Sequence, residues 1–337
     1  MLIRMYALQA GGRPQVLHCP YPPTDLAATL GLSEERLSTQ MESAREKLFQ
    51  QRRKRMRPLR DDKILTDWNG LMIAAMARAA FVFEDPVFLQ AVSKAVSFVL
   101  GNLRDPRGRL LHRWRDGEAA MPANLDDYAF LLWGLIEAYE ATFDSNLLEE
   151  ALSLEEELSA LFWDRENGGY YFTPEDGEPL LVRQKESYDG AIPSGNSVAM
   201  LNLLRLARLT GRGELGARAV ATGQAFAASI RSLPAGHSQF LVALDYLAGP
   251  SAEVVIAGNP DGADTSEMLR QLRRTFLPRT VVLFCPEGEG KERISRVAEF
   301  AREMTPVNGR STAYVCRNFS CRQPTTDPAQ MMAWLQE

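Results

Sequence analysis

Histidine and cysteine are scarce in this 337-residue chain, with three of the first and four of the second. Cys19, Cys285, Cys316 and Cys321 are too few and too dispersed for a disulfide-built fold. No Cys-x-x-Cys occurs, so the usual dithiol redox motif is missing. No apolar run approaches the roughly 18 residues that span a bilayer. The opening MLIRMYALQAGGRPQ lacks a leader's apolar stretch of about 7 residues or more. A cytoplasmic protein with no membrane partner is expected. An excess of basic charge is also missing: the net charge is −5, which argues against nucleic acid as a partner. Gly288-Glu289-Gly290-Lys291 runs into Glu292, where a phosphate loop needs Ser or Thr. No cofactor and no metal are expected.

What is present is a repeat. Arg57 to Phe83 reads RPLRDDKILTDWNGLMIAAMARAAFVF, a charged loop followed from about Asn69 by a helix with almost no polar face. Such a helix is buried on most sides. The device recurs at Asn124-Leu125-Asp126-Asp127-Tyr128 before Ala129 to Phe143, and at Pro193-Ser194-Gly195-Asn196 before Ser197 to Leu209. Gly236-His237-Ser238-Gln239 starts a fourth copy. More amphipathic helices follow the first three, at Pro86 to Leu103, Ser145 to Trp163 and Glu214 to Ser232. The pattern predicts α-hairpins in a stacked or circular array.

Residues 1–32 are rich in Pro and Gly and read as irregular, extended chain. From Ser33 a helix runs with Glu34 and Glu35 in its first turn and Arg52 to Arg55 at its end, matching the helix dipole. Arg109 to Trp114 before Asp116-Gly117 predicts a β-hairpin, and so do Gly169 to Thr173 and Pro179 to Val182 around Asp176-Gly177. After Pro250, strands at Glu253 to Ala257, Thr280 to Cys285 and Thr312 to Cys316 alternate with helical patterns, which predicts βαβ units with parallel pairing. The expected organisation is an irregular segment at 1–32, α-hairpins at 33–249 and a small α/β element at 250–337.

Four strings carry a resemblance: RPLRDDKILTDWNGLMIAAMARAA, NLDDYAFLLWGLIEAYEATFD, WDRENGGYYFTPEDGEPLLVRQKESYDGAIPSGNS and TAYVCRNFSCRQPTTDP. Together they resemble the C-terminal half of the spermatogenesis-associated thioredoxin-like family. That family joins a thioredoxin-like domain to a six-hairpin, glycosidase-like toroid, similar to the N-acylglucosamine 2-epimerase superfamily. The resemblance implies a mainly α fold, an incomplete (α/α)6 toroid with about four inner helices. It supplies no established reaction. It also implies a thioredoxin-like partner, or an upstream half of the toroid, on other chain. For Cys316 and Cys321 the expectation is two reduced packing thiols, with redox contact to such a partner or metal binding as alternatives.

In a toroid the N-terminal loops of the inner helices converge on one face. That would gather Asp61, Asp62, Asp67, Trp68, Asn69, Asp126, Asp127, Tyr128, Glu186, Tyr188, Asp189, Ser194, Asn196 and His237. Carboxylates for acid and base, aromatics for sugar rings and amides for hydroxyls are the inventory of a carbohydrate site. Asp126, Asp127 and Asp189 are the candidate catalytic groups and the others candidate substrate contacts. One of the three carboxylates is expected to have a raised pKa. Simple roles compete: Asn69, Asp127 and Asn196 as helix caps, Asp61 and Asp62 as partners of nearby Arg and Lys, Trp68 as core. With only His237 at an inner helix start, epimerase chemistry through paired histidines is disfavoured. A sugar-active or sugar-binding protein is the first expectation. A non-catalytic module completing a split thioredoxin-like redox protein is the second.

Overall fold

The computed structural model describes residues 18–317 and 320–337. It divides into two compact units, one ending at Asp62 and the other running from Lys63 to Glu337. Residues 1–17 of the expected irregular segment lie outside the described residues. In the first unit, α1 (Pro23–Leu30) is a helix where extended chain was expected. Pro23 stands at its first position, where a missing N–H costs nothing, and Gly31 ends it in left-handed conformation. Leu26 and Ala27 bury against Leu37 of α2 (Glu34–Arg53). Ser33 caps α2 by accepting from the Arg36 N–H at 3.2 Å.

The second unit opens with β1 (Ile64–Leu65) and the hairpin α3 (Thr66–Phe83) and α4 (Pro86–Asn102). Next come β2 (Leu111–Arg115), β3 (Glu118–Pro122), and the hairpin α5 (Leu125–Thr142) and α6 (Ser145–Phe162). The third hairpin pairs α7 (Gly195–Thr210) with α8 (Gly213–Ala225) and a short α9 (Ala227–Ser232), and α10 (Ser238–Ala248) follows. The fold is thus mainly α, an incomplete toroid of hairpins. Side chains of α5 and α7 are buried nearly all round, among them Phe130, Leu131, Leu135, Ile136, Leu203 and Leu206. Each such side chain contributes about 1.5–3 kcal/mol.

Contacts between α3 and α5 rise together along both chains. The Asp67 N–H meets Asp127, Gly70 meets Phe130 and Leu131, and Arg78 meets Glu137. The two helices therefore run parallel. They approach through glycine: a Cβ on Gly70 would lie 2.5 Å from the Leu131 nitrogen, and one on Gly134 2.9 Å from the Gly70 oxygen. Helix α7 joins in the same sense. Asn202 donates to the Ala129 carbonyl at 2.8 Å, and Arg205 further along reaches Glu137 and Glu140, both at 2.6 Å. Burial pushes the Glu137 carboxyl up, but Arg205 and Arg78 outweigh it and hold the group below its ordinary range. For Glu140 burial wins over Arg205, and the carboxyl is held above its ordinary range.

The first insertion forms the expected β-hairpin, turning through Asp116 and Gly117 at φ 52° and 85°. The second does not. The N–H and carbonyl of Tyr170 are taken by the Asn196 side chain at 2.7 and 2.9 Å. Asp176 is drawn to Arg109 at 2.7 Å, and Leu180 to Val182 lie exposed. Other backbone bonds of Gly169 to Thr173 go to Phe162 and Gln184, with Tyr170 bridged to Trp163, so no ladder joins this run to Pro179 to Val182.

The C-terminal sheet has the order β5-β4-β6-β7, from β4 (Ala252–Gly258), β5 (Thr280–Pro286), β6 (Thr312–Arg317) and β7 (Ser320–Cys321). Strands β4 and β5 are parallel across α11 (Ala263–Arg273), as expected. Strand β6 is antiparallel to β4, against expectation. Ser311, just before β6, is held at the carboxyl end of β4: its N–H donates to Asp264 at 2.7 Å and its hydroxyl meets Thr265 at 2.5 Å. A strand starting there must run back. Helices α12 (Glu289–Val297) and α13 (Pro328–Gln336) complete the element. Strand β5 is braced by α5, since the Val282 N–H donates to Glu140 and the Phe284 N–H to the Tyr139 hydroxyl, each at 3.3 Å. Cys316 and Cys321 face each other in register and are joined as a disulfide, which corrects the expectation of two free thiols.

Candidate functional site

The N-terminal turns of α3, α5, α7 and α10 meet at one mouth. Thr66 starts α3 and donates to the Leu111 carbonyl of β2 at 2.6 Å, which fixes the hairpin beside the helix ends. The Asp67 carboxylate accepts from the Trp68 N–H at 2.7 Å. Burial and then the Asp127 charge push its carboxyl above the ordinary range. Asn69 is not the cap: its amide donates back to the Leu65 carbonyl at 2.7 Å. Trp68 is 61% exposed and so is not core.

Asp127 forms a capping box with Asn124. One oxygen accepts from the Asn124 N–H at 2.8 Å and the other from the Asp67 N–H at 3.0 Å. Nδ1 of His112 lies 2.9 and 3.0 Å from the two oxygens. Asp126, the next residue, turns toward α7, where a Cβ on Gly195 would lie 2.4 Å from its Oδ1. Only glycine leaves room for this contact. Burial first, then the charges of Glu186, Asp127 and Asp67, push the Asp126 carboxyl up to about 7, against the hydrogen bond from the Gly195 N–H.

Asp189 is close by, but its oxygens are committed. They accept from the Ser194 N–H at 2.9 Å, the Ser197 hydroxyl at 2.7 Å, the Gln239 N–H at 2.8 Å and the Phe240 N–H at 3.3 Å. It ties the start of α10 to the start of α7. Ser194 caps α7, accepting from the Ser197 N–H at 3.2 Å. Asn196 instead clamps Tyr170 and donates to the Glu186 carbonyl at 2.8 Å. His237 is buried, its ring nitrogens 2.8 Å from the Leu233 carbonyl and 3.3 Å from the Ser187 hydroxyl. Tyr128 points away from the mouth into the core, its hydroxyl donating to Glu157 at 3.2 Å. Glu186 and Tyr188 are exposed, with Tyr188 packed over Gly236. Asp61 and Asp62 belong to the first unit and are exposed there.

His112 was not among the expected site residues. Its signal was available: it lies in the expected β-hairpin that leads to the acidic loop. Ligating atoms of Asp67, His112 and Asp127 lie within 4.8 Å of one another, a spacing that a cation can bridge. The symmetrical approach of Nδ1 to both Asp127 oxygens is the geometry of a hydrogen bond, and a protonated nitrogen is not a ligand.

Human spermatogenesis-associated protein 20 is 32% identical to this chain over 315 residues, 90% of the chain and 40% of that protein. The mouse protein of the same name is 33% identical over 322 residues, with 92% and 40% covered. The chain is homologous to these proteins. It spans about 40% of the length of the curated relatives it matches, so the resemblance read from the four strings holds for that part. An uncharacterised Caenorhabditis elegans protein is 27% identical over 301 residues. No family model matches the chain. Among solved structures, cellobiose 2-epimerase from Spirochaeta thermophila aligns with TM-score 0.42 and 19% identity, over 49% of this chain and 43% of that one. A family 76 α-mannanase from Bacteroides thetaiotaomicron aligns with TM-score 0.42 and 17% identity, over 51% and 47%. No helix among the described residues is long and apolar enough to cross a membrane.

Proposed function

We propose that the mouth binds carbohydrate and that Asp126 is its proton donor, in a reaction of the glycoside hydrolase or sugar isomerase class. The observation that carries this reading is Asp126 itself. Its carboxyl is packed against Gly195 and crowded by the charges of Glu186, Asp127 and Asp67, so it keeps its proton close to neutral pH. An acid of that strength can protonate a leaving or carbonyl oxygen. Trp68 and Tyr188 offer exposed rings for a pyranose face, and Glu186 an acceptor for hydroxyls. Asn69, Ser194, Asn196, His237 and Asp189 form the frame. The hairpin region at 33–249 carries the site, and the α/β element at 250–337 braces it from α5. The test is a panel of mono- and oligosaccharides against the chain, alone and within a longer, relative-length protein. Saturable binding is expected, with turnover of a bound sugar that Asp126→Asn lowers at least about a hundredfold. Turnover indifferent to Asp126→Asn removes its role.

One observation favours a second reading, of a module that works with a thioredoxin-like partner: the Cys316–Cys321 disulfide, with Cys321 exposed and Cys316 buried. A partner thiolate would attack the Cys321 sulfur and form a mixed disulfide, releasing Cys316 as thiolate, and the partner's second thiol would then resolve it. A thioredoxin lacking its resolving cysteine should be trapped on Cys321. No adduct under conditions that reduce an exposed disulfide removes this reading.

A further inference from the structure

Asp127 is the most enclosed carboxylate of the mouth, its side chain 1% exposed. Both its oxygens face backbone N–H groups as well as His112. A substrate cannot reach it. The His112 side chain is 23% exposed. Among the described residues only Nδ1 is engaged, and it faces two acceptors, so Nδ1 carries the ring proton of the neutral imidazole. Nε2 is then left with its lone pair. The backbone on either side is fixed, since Leu111 accepts from Thr66 and Arg113 pairs with Leu65 and Ala120. The acid at Asp126 is one residue from the carboxylate that orients the imidazole.

We propose that His112 is the catalytic base of this site, with Asp127 as the positioning residue that sets its tautomer and matches its charge. The proposal rests on the carbohydrate reading above. Nε2 takes a proton from water as the water oxygen bonds to the anomeric carbon. The bond from that carbon to the leaving oxygen breaks, the electron pair stays with the oxygen, and Asp126 gives it a proton. One water is consumed. Imidazolium is left against the Asp127 carboxylate, and Asp126 is left ionised; passage of the proton through solvent from His112 to Asp126 resets both. Imidazole takes the place of a second carboxylate because the carboxylate in that position is walled in. The hydrogen bond to Asp127, opposed by burial, lifts the His112 pKa above its ordinary value.

The test is a pH titration of the 15N-histidine-labelled chain by NMR, with His112→Gln assigning the ring. Neutral His112 is expected with its proton on Nδ1, and Asp127→Asn is expected to lower its pKa by roughly one unit or more. A proton on Nε2, or an unchanged pKa in Asp127→Asn, overturns the proposal. If Asp127→Asn does not fold, the wild-type tautomer decides. One equivalent of zinc that displaces the Nδ1 proton also overturns it, in favour of a metal centre. A sugar panel without response beside an Nδ1-protonated His112 overturns the sugar reading, and the base role with it, while the His112–Asp127 pair stands. An Nε2-protonated ring beside a clear sugar response overturns the base alone.

Discussion

At the scale of the residue, Asp126 is the group whose environment conflicts with its charge. Its pKa rises from 3.8 to about 7 on folding, so the folded chain holds one more proton than the unfolded chain within that window. Stability contributed by this group is therefore full below pH 3.8 and is lost as pH rises through about 7. Asp126→Asn removes the dependence. The variant should gain melting temperature relative to wild type at pH 8 and show little gain at pH 4. A gap that does not change with pH would mean that the carboxyl is ionised throughout. The acidic pair at Asp126 and Asp127 was legible in sequence because a cap needs only one polar residue. Their division of labour was not, since it depends on Gly195 approaching one carboxyl and His112 the other. Asp189 could not be read as a brace for α7 and α10, because its donors lie up to 51 residues away.

At the scale of the element, the inner helices are the best-read part of the chain. Their apolar circumference and the repeated polar start are local properties, and they survive in α3, α5 and α7 with ends shifted by a few residues. The second β-insertion was misread because Asp-Gly is a local signal and Asn196 is a distant competitor. Two substitutions test how the helices are held. Gly70→Ala places a Cβ 2.5 Å from the backbone of α5, and backbone cannot yield as a side chain does. It should cost about 3 kcal/mol in denaturant unfolding, at the upper end of overpacking. A cost below about 1 kcal/mol would show that the helices can part. Arg205→Met removes the cation that bonds both Glu137 and Glu140 at 2.6 Å and leaves only Arg78, 3.6 Å from Glu137. A loss on the order of 3–5 kcal/mol is expected at pH 8, smaller at pH 4 where the acids left without Arg205 can take up protons. Equal loss at pH 4 and pH 8 would contradict the ionic account.

At the scale of the whole molecule, the array of inner helices has two ends. Helix α3 exposes Met72, Val82 and Phe83, and α10 exposes Leu241, Val242 and Leu247. Apolar faces of this kind mark interfaces. The chain should associate with itself as concentration rises in sedimentation velocity, and a single monomer species across the range would contradict this. An open array was legible from the number of repeats. The reversal of β6 was not, because it follows from Ser311 being held by Asp264 and Thr265, a contact between segments 46 and 47 residues apart. The central claim is that the helix ends form one carbohydrate site with Asp126 as its acid. It is tested most directly by backbone NMR of the chain titrated with the sugar panel. Saturable shifts are predicted at Asp67, His112, Asp126 and Gly195, with turnover of the bound sugar lowered in Asp126→Asn. Saturable shifts confined to the C-terminal sheet, or no response to any sugar, would contradict it.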